Sequence, residues 1–202
     1  MTDWRHHIFS LIESGDLAAV SSTVKKHPHL LQVQGDYGNV YPSNLGQRLE
    51  EGPPLHAAAW HDQVEMVQFL VGIGASLHEQ DGIGDTALHV AAIKGSTGAA
   101  KALLDLGAPL DDHNSVGWTP LHRAAAWGST DILKLLIERG ARVSAQDDAG
   151  DTPLYWARWA RSVNCVEELL RAGAVDQVGH HTLIFYRPPP FVCGLSVHNF
   201  PF

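Results

Sequence analysis

Apolar residues along the chain recur at helical spacing, and the helical segments come in pairs of a shorter and a longer one. The longer segment of the clearest pair carries one apolar stripe: Ile132, Leu133, Leu135, Leu136 and Ile137. The shorter segment before it, residues 120–127, is rich in alanine, and small side chains let a neighbouring unit approach closely. Such a pair has two apolar faces and is not stable alone, so the pattern predicts helix–turn–helix units that stack into a solenoid.

Two sequence markers repeat with the same step of 33 residues. The first is a five-residue segment with four copies: Pro54–Ala58, Ala87–Ala91, Pro120–Ala124 and Pro153–Ala157. The second is a Gly-Ala pair, whose glycines are Gly74, Gly107, Gly140 and Gly173. Two independent markers in one register indicate four consecutive copies of one structural unit.

The best copy of this unit runs from Gly117 to Asp147 and reads GWTPLHRAAAWGSTDILKLLIERGARVSAQD. It resembles the ankyrin repeats, whose signature is T-P-L-H-x-A at a period of 33 residues, and the resemblance covers about residues 48–179. The resemblance implies an all-α solenoid with inter-repeat β-turn fingers, and a noncatalytic function in protein recognition. It also implies that the histidines of the T-P-L-H slot (His56, His89 and His122) hydrogen-bond the threonine and the neighbouring turn.

Each unit opens with a turn and a helix cap. The turn glycines are Gly84, Gly117 and Gly150, at a position where glycine adopts a positive φ without penalty. The predicted N-cap residues are Thr86, Thr119 and Thr152, and proline follows two of these three. In the first repeat Glu51 replaces the glycine and Pro53 replaces the threonine, so we expect its opening turn to be distorted.

The pattern divides the chain into a helical cap (1–34), an insertion loop (35–47), four ankyrin-type repeats (48–80, 81–113, 114–146 and 147–179) and an irregular, proline-containing tail (180–202). The last repeat has Tyr155 in the histidine slot and Arg158 in place of an alanine, which suits the polar cap of a terminal repeat. The apolar tail either folds over the exposed face of this repeat or extends from it. We interpret its run Arg187-Pro188-Pro189-Pro190 as a linker or docking segment in preference to a polyproline ligand of an SH3 or WW domain.

The composition is that of a globular protein with a sizeable core. Of the 202 residues, 45% are hydrophobic and 18% are charged, and 14 basic against 22 acidic residues give a net charge of −8. This charge disfavours nucleic acid and anionic membranes as partners. No apolar run is long enough for a transmembrane helix, and the two cysteines, Cys165 and Cys193, indicate reduced thiols. We therefore expect a cytoplasmic or, alternatively, a nuclear protein.

No residue pattern predicts catalysis or a cofactor. The pairs His6-His7 and His180-His181 lack further ligands at metal-binding spacing. The runs Gly72-Ile73-Gly74 and Gly82-Ile83-Gly84 lack the preceding strand and the long helix of a dinucleotide-binding loop. Cys165 falls at a semi-buried position of a second helix, where it is expected to act as a small hydrophobe. We therefore expect no catalytic residue, cofactor, metal ion or small-molecule ligand.

The register leaves a concave groove, built from the turn tips and the first helices, as the candidate binding surface. The predicted partner-binding residues are Trp60, Ile83, Asp85, Trp118, Trp127, Asp151 and Trp159. Interface hot spots are enriched in tryptophan, and the aspartates favour a partner with basic residues at its rim. The other interpretation is that the indoles pack between neighbouring fingers and stabilise adjacent repeats.

The predicted function is a scaffold or adaptor that binds an unidentified protein partner through this groove. The alternative is a regulatory inhibitor or a substrate-recruiting adaptor, for example of a ubiquitin ligase. A small-ligand-binding protein or an enzyme is less favoured, because either requires a concave site with converging titratable groups.

Overall fold

The computed structural model describes residues 4–36 and 51–175. Within these ranges the chain forms ten α-helices, which pair consecutively into five units. The helices are α1 Trp4–Glu13, α2 Leu17–Lys26, α3 Pro54–Trp60, α4 Val64–Gly72, α5 Ala87–Lys94, α6 Thr97–Asp105, α7 Pro120–Trp127, α8 Thr130–Glu138, α9 Pro153–Trp159 and α10 Val163–Arg171.

The first helices of the repeats (α3, α5, α7 and α9) begin at the predicted step of 33 residues, at positions 54, 87, 120 and 153. Thr86, Thr119 and Thr152 are the N-cap residues of the last three, as predicted, and all have extended backbone conformation. Fully buried alanines such as Ala92 and Ala125 let first helices of adjacent repeats pack together more extensively than second helices do. The stack therefore curves toward its first helices, and we call this side the concave face.

Fingers between the repeats are held by one side-chain oxygen each. Asp81, Asn114 and Asp147 each accept hydrogen bonds from the backbone N–H groups two and four residues later, at 2.9–3.0 Å. Adjacent fingers also contact each other directly, because Ser115 N–H donates to the carbonyl of Ile83 at 3.2 Å. Gly84 has a φ of +82°, and a Cβ on it would lie 2.5 Å from Ser115 N, so glycine is required both for the turn and for this close approach.

The front end of the solenoid is closed by the N-terminal unit. Ile8 and Ile12 of α1 are fully buried, and α1 packs against α3 of the first repeat. A 3₁₀ helix, Pro28–Gln32, follows α2 and buries Leu30. In the described residues 4–36, the predicted cap therefore contains two α-helices and one 3₁₀ helix. Its apolar face covers the side of the first repeat that would otherwise be open.

The first repeat is entered through two short paired strands. Strand β1 (Gly35–Asp36) pairs antiparallel with strand β2 (Glu51–Gly52). In the later repeats, the corresponding position is occupied by a finger whose turn contains a glycine. Pro53 is the N-cap residue of α3 and makes no side-chain cap hydrogen bond, because it has no hydroxyl. The predicted departure from the regular opening turn is therefore present. Most of the predicted insertion loop (35–47) lies outside the described residues.

Several other predictions concern the C-terminal part of the chain. Arg158 is exposed, as expected of a polar cap, whereas Cys165 is fully buried and not semi-buried as predicted. Cys165 is buried because α10 packs against α8 at this position, where the cysteine sulfur lies 3.4 Å from the hydroxyl of Thr130. The tail (180–202), with the histidine pair His180-His181, the proline run and Cys193, lies outside the described residues. In the described part of the chain, no helix is long and apolar enough to cross a membrane.

Candidate functional site

The histidines of the T-P-L-H slot connect consecutive repeats. His89 Nε2 lies 2.9 Å from the carbonyl oxygen of Trp118 in the next finger, and its Nδ1 lies 2.9 Å from the hydroxyl of Thr86. Because a carbonyl only accepts, Nε2 carries the proton and donates, and Nδ1 accepts from the threonine. His122 makes the same contacts to Asp151 O (3.2 Å) and to Thr119 (2.9 Å). The bonds that the family resemblance implies are therefore present at His89 and His122. His56 makes the bond to the next finger, from Nε2 to Asp85 O at 2.8 Å, but Pro53 stands in place of its threonine.

Burial keeps these imidazoles neutral. Desolvation lowers the pKa of His56 and His89, and it lowers the pKa of His122 to about 4. Backbone carbonyls of the next finger oppose this shift but do not reverse it. The slot histidines are thus neutral hydrogen-bond donors in the repeat interfaces.

Five of the seven predicted partner-binding residues lie partly exposed at the fingers and first helices. They are Trp60, Ile83, Trp127, Asp151 and Trp159. The other two, Asp85 and Trp118, are only 1% and 6% exposed. The prediction that Asp85 and Trp118 lie exposed on the binding surface is therefore wrong, and their burial has a specific cause in each case.

Asp85 is buried because it forms an ion pair with Arg123 of the next repeat. Arg123 Nη2 lies 2.7 Å and its Nε 3.2 Å from the two carboxylate oxygens, and Asn114 donates to the same carboxylate at 2.8 Å. The side chains of Arg123 and Asp85 are 4% and 1% exposed. A carboxylate that is satisfied in this way inside the protein does not contribute to the rim of a binding surface.

Trp118 is buried because four indoles form a continuous row across repeats 3 and 4. Ring centroids are 6.1 Å apart between Trp127 and Trp118, 4.5 Å between Trp118 and Trp156, and 6.1 Å between Trp156 and Trp159. We call these four residues the aromatic row. Its inner members, Trp118 and Trp156, are each 6% exposed, whereas the outer members, Trp127 and Trp159, are half-buried. Trp118 packs against Trp156 of the next repeat, as the second interpretation of the sequence expected for the predicted indoles, and the outer pair reaches the surface.

Polar contacts fix the aromatic row in place. The guanidinium of Arg123 lies 4.9 Å from the ring centroid of Trp118 and 5.1 Å from that of Trp127, which are cation–π distances. Trp156 donates its indole N–H to the Asp147 carboxylate at 2.9 Å. Sequence reasoning missed both Arg123 and Trp156. They share the slot directly after the T-P-L-H histidine, and two large side chains in this slot in consecutive repeats are the signal that marks the row.

Trp60 belongs to a separate part of the same side of the solenoid. It lies in repeat 1, two repeats before the aromatic row, and the ammonium group of Lys94 in repeat 2 lies 4.8 Å from its ring centroid. This cation–π contact connects the first helices of repeats 1 and 2. Trp60 therefore does not extend the row, although it occupies the same slot as Trp159.

A polar groove of about 590 Å³ lies on the other side of the repeats, at the start of the second helices. Ser129, Thr130 and Lys134 of repeat 3 and Glu167 and Glu168 of repeat 4 contribute to its walls. Lys134 and Glu168 are already within 3.5 Å of each other. Across residues 4–36 and 51–175, no group of three or more His, Cys, Asp or Glu side chains is arranged to hold a metal ion.

Comparison with known families agrees with this geometry. Residues 55–147 match a family model of three ankyrin repeats, and residues 149–180 match the model of a single ankyrin repeat. The chain belongs to the ankyrin-repeat family. The predicted all-α ankyrin solenoid is confirmed. Ankyrin repeats generally mediate protein–protein interactions and are typically noncatalytic. No curated protein matches this chain significantly.

Proposed function

We propose that this ankyrin-repeat protein is a noncatalytic adaptor that binds a partner protein at the aromatic row, with Trp127 and Trp159 as the anchors. The observation that carries the proposal is the division of the row into two buried and two half-buried indoles. The buried pair supports the outer pair from behind, so that the outer rings keep a defined position without a partner.

Preorganisation explains why such a surface suits protein recognition. Trp127 is held by the ring of Trp118 and by the guanidinium of Arg123, and Trp159 is held by Trp156. Little side-chain entropy remains to be lost when a partner covers rings that are already positioned. Tryptophans in such positions are the commonest hot-spot residues of interfaces, where truncation of one costs about 2 kcal/mol or more.

Charge at the same end of the concave face restricts the partner. Asp148 is exposed and Asp151 is partly exposed, and both belong to the finger of repeat 4. Like charges across an interface are unfavourable, whereas opposite charges accelerate association. We therefore expect the partner to present an apolar or aromatic patch with basic residues at its rim.

Single replacements of the outer indoles test the proposal. Proteins captured from cell lysate by the wild type are identified, and the dissociation constant of each purified candidate is measured for Trp127→Ala and Trp159→Ala. A loss of about 2 kcal/mol corresponds to roughly 30-fold weaker binding for each variant.

Trp4→Ala is the matched control, because Trp4 is 37% exposed on α1 of the N-terminal cap, away from the row. It is expected to bind like the wild type. A partner whose affinity falls equally in all three variants, or in none, contradicts the proposed site. Replacement of Trp118 does not serve as a test, because the ring is buried and its loss destabilises the fold.

A further inference from the structure

The last repeat ends in an apolar face that nothing in the described part of the chain covers. Four large side chains on it are strongly exposed: Tyr155 (42%), Val163 (66%), Leu170 (45%) and Val175 (66%). We call these four residues the end face. Large exposed apolar groups that cluster at one end of a solenoid differ from the isolated ones that every protein surface shows.

For Tyr155 and Leu170, the equivalent positions in the earlier repeats show that the exposure results from the lack of a following unit. The slot of Tyr155 is filled in repeats 1 to 3 by His56, His89 and His122, each of which is 0% exposed. The slot of Leu170 is filled in those repeats by Val71, Leu104 and Ile137, which are partly buried against the core. A residue in either slot is thus covered whenever another unit follows.

The two ends of the solenoid differ in how they are closed. At the front end, α1 packs Ile8 and Ile12 against the first repeat. At the back end, exposed Arg158 replaces an alanine that is buried in each earlier repeat, but the apolar residues around it are retained. A single arginine makes the end face partly polar, whereas a terminal repeat needs a polar outer face to remain soluble alone.

The chain itself carries a segment that fits this face. After Asp176 it contains no acidic residue, and it includes the apolar run Leu183-Ile184-Phe185-Tyr186. Seven residues separate Val175 from Leu183. At about 3.3 Å per residue they span up to roughly 25 Å, which exceeds the width of two packed helices. The run can therefore reach the other residues of the end face from Val175.

We propose that residues 183–186 pack in cis on the end face, in the place that a fifth repeat would occupy. The occupant is apolar, as the four exposed side chains require, and it is attached directly beside them. This docking buries two sets of apolar groups that would otherwise both face water. It does not depend on the proposed partner-binding function, which concerns the aromatic row.

Methyl-labelled nuclear magnetic resonance on the full chain tests this docking. We expect nuclear Overhauser contacts between the methyl groups of Val163 or Leu170 and those of Leu183 or Ile184. Absence of such contacts overturns the proposal. So does their appearance only in an isotope-filtered experiment on mixed labelled and unlabelled copies, because the occupant is then a second molecule.

A pair of matched variants ties the contacts to the end face. In Leu170→Glu a charge is placed on the face, and we expect the contacts to disappear and the amides of residues 183–186 to exchange hydrogen roughly tenfold faster. Leu106→Glu is the control, because Leu106 lies in repeat 2 and not on the end face. Leu106 is 39% exposed and Leu170 is 45% exposed, so both variants should fold. Equal exchange in the two variants, or loss of the contacts in both, overturns the docking site.

Discussion

Replacement of Asp85 by asparagine tests the role of the buried ion pair between repeats 2 and 3. The variant keeps the size of the side chain and its ability to hydrogen-bond Asn114, but it removes the charge opposite Arg123. The guanidinium remains in place, with its side chain 4% exposed and two indoles within about 5 Å of it. Asp85→Asn therefore removes the negative charge that lies 2.7 Å from this buried guanidinium.

The magnitude follows from the geometry of the pair. Two unit charges about 4 Å apart attract each other by about 4 kcal/mol at an effective dielectric constant near 20. The cation–π contacts with Trp118 and Trp127 persist and offset part of this loss. Breaking one side of a buried pair typically costs about 3–5 kcal/mol, and we expect a value near the lower end. For a protein of this size, 3 kcal/mol corresponds to a fall in Tm of roughly 6–12 °C.

Urea unfolding followed by tryptophan fluorescence measures the change in the free energy of unfolding. Asp111→Asn is the matched control, because its partner Arg142 is 64% exposed at 3.3 Å, and an exposed pair is worth at most about 1 kcal/mol. In Asp85→Asn/Arg123→Met the buried guanidinium is removed as well, so much of the lost stability should return. The reasoning is refuted if Asp85→Asn costs no more than Asp111→Asn, or if the double variant is as unstable as the single one.

Two further predictions concern the repeat interfaces. The pKa of His122 is about 4 in the folded chain against 6.5 ordinarily, so below pH 6.5 the unfolded state binds a proton that the folded state does not. Titration of His122 thus leaves the free energy of unfolding constant above pH 6.5 and lowers it by about 3 kcal/mol as the pH falls to 4. In urea unfolding, the free energy of unfolding of His122→Asn should therefore fall less steeply with decreasing pH than that of the wild type. An equal slope contradicts the assignment. Gly117→Ala should cost clearly more than Gly150→Ala in the same assay. Both glycines have positive φ, but only at Gly117 would a Cβ meet the next finger, 2.6 Å from Asp148 N, and equal costs would exclude that contact as a cause.

Features that act within one repeat were predictable from the sequence alone. The step of 33 residues gave the starts of four first helices, and Thr119 with His122 forms its cap three residues apart in the chain. The finger glycines were equally predictable, because a positive φ restricts the residue type wherever it occurs. These features depend on residues close together in the chain and on the repeat period, and both can be read directly from the amino-acid sequence.

Burial of the fingers was decided by the tertiary structure. Asp85, Trp118 and Asp151 share one slot of the repeat, and the sequence treats them as equivalent surface positions. In the structure Asp85 is withdrawn by Arg123 and Trp118 by Trp156, each 38 residues later, whereas Asp151 stays partly exposed. The period determines the backbone position of a residue in the repeat, but the exposure of its side chain depends on the volume and charge of the residues that the adjacent repeat places against it. These residues are distant in the chain and come into contact only when the repeats pack together.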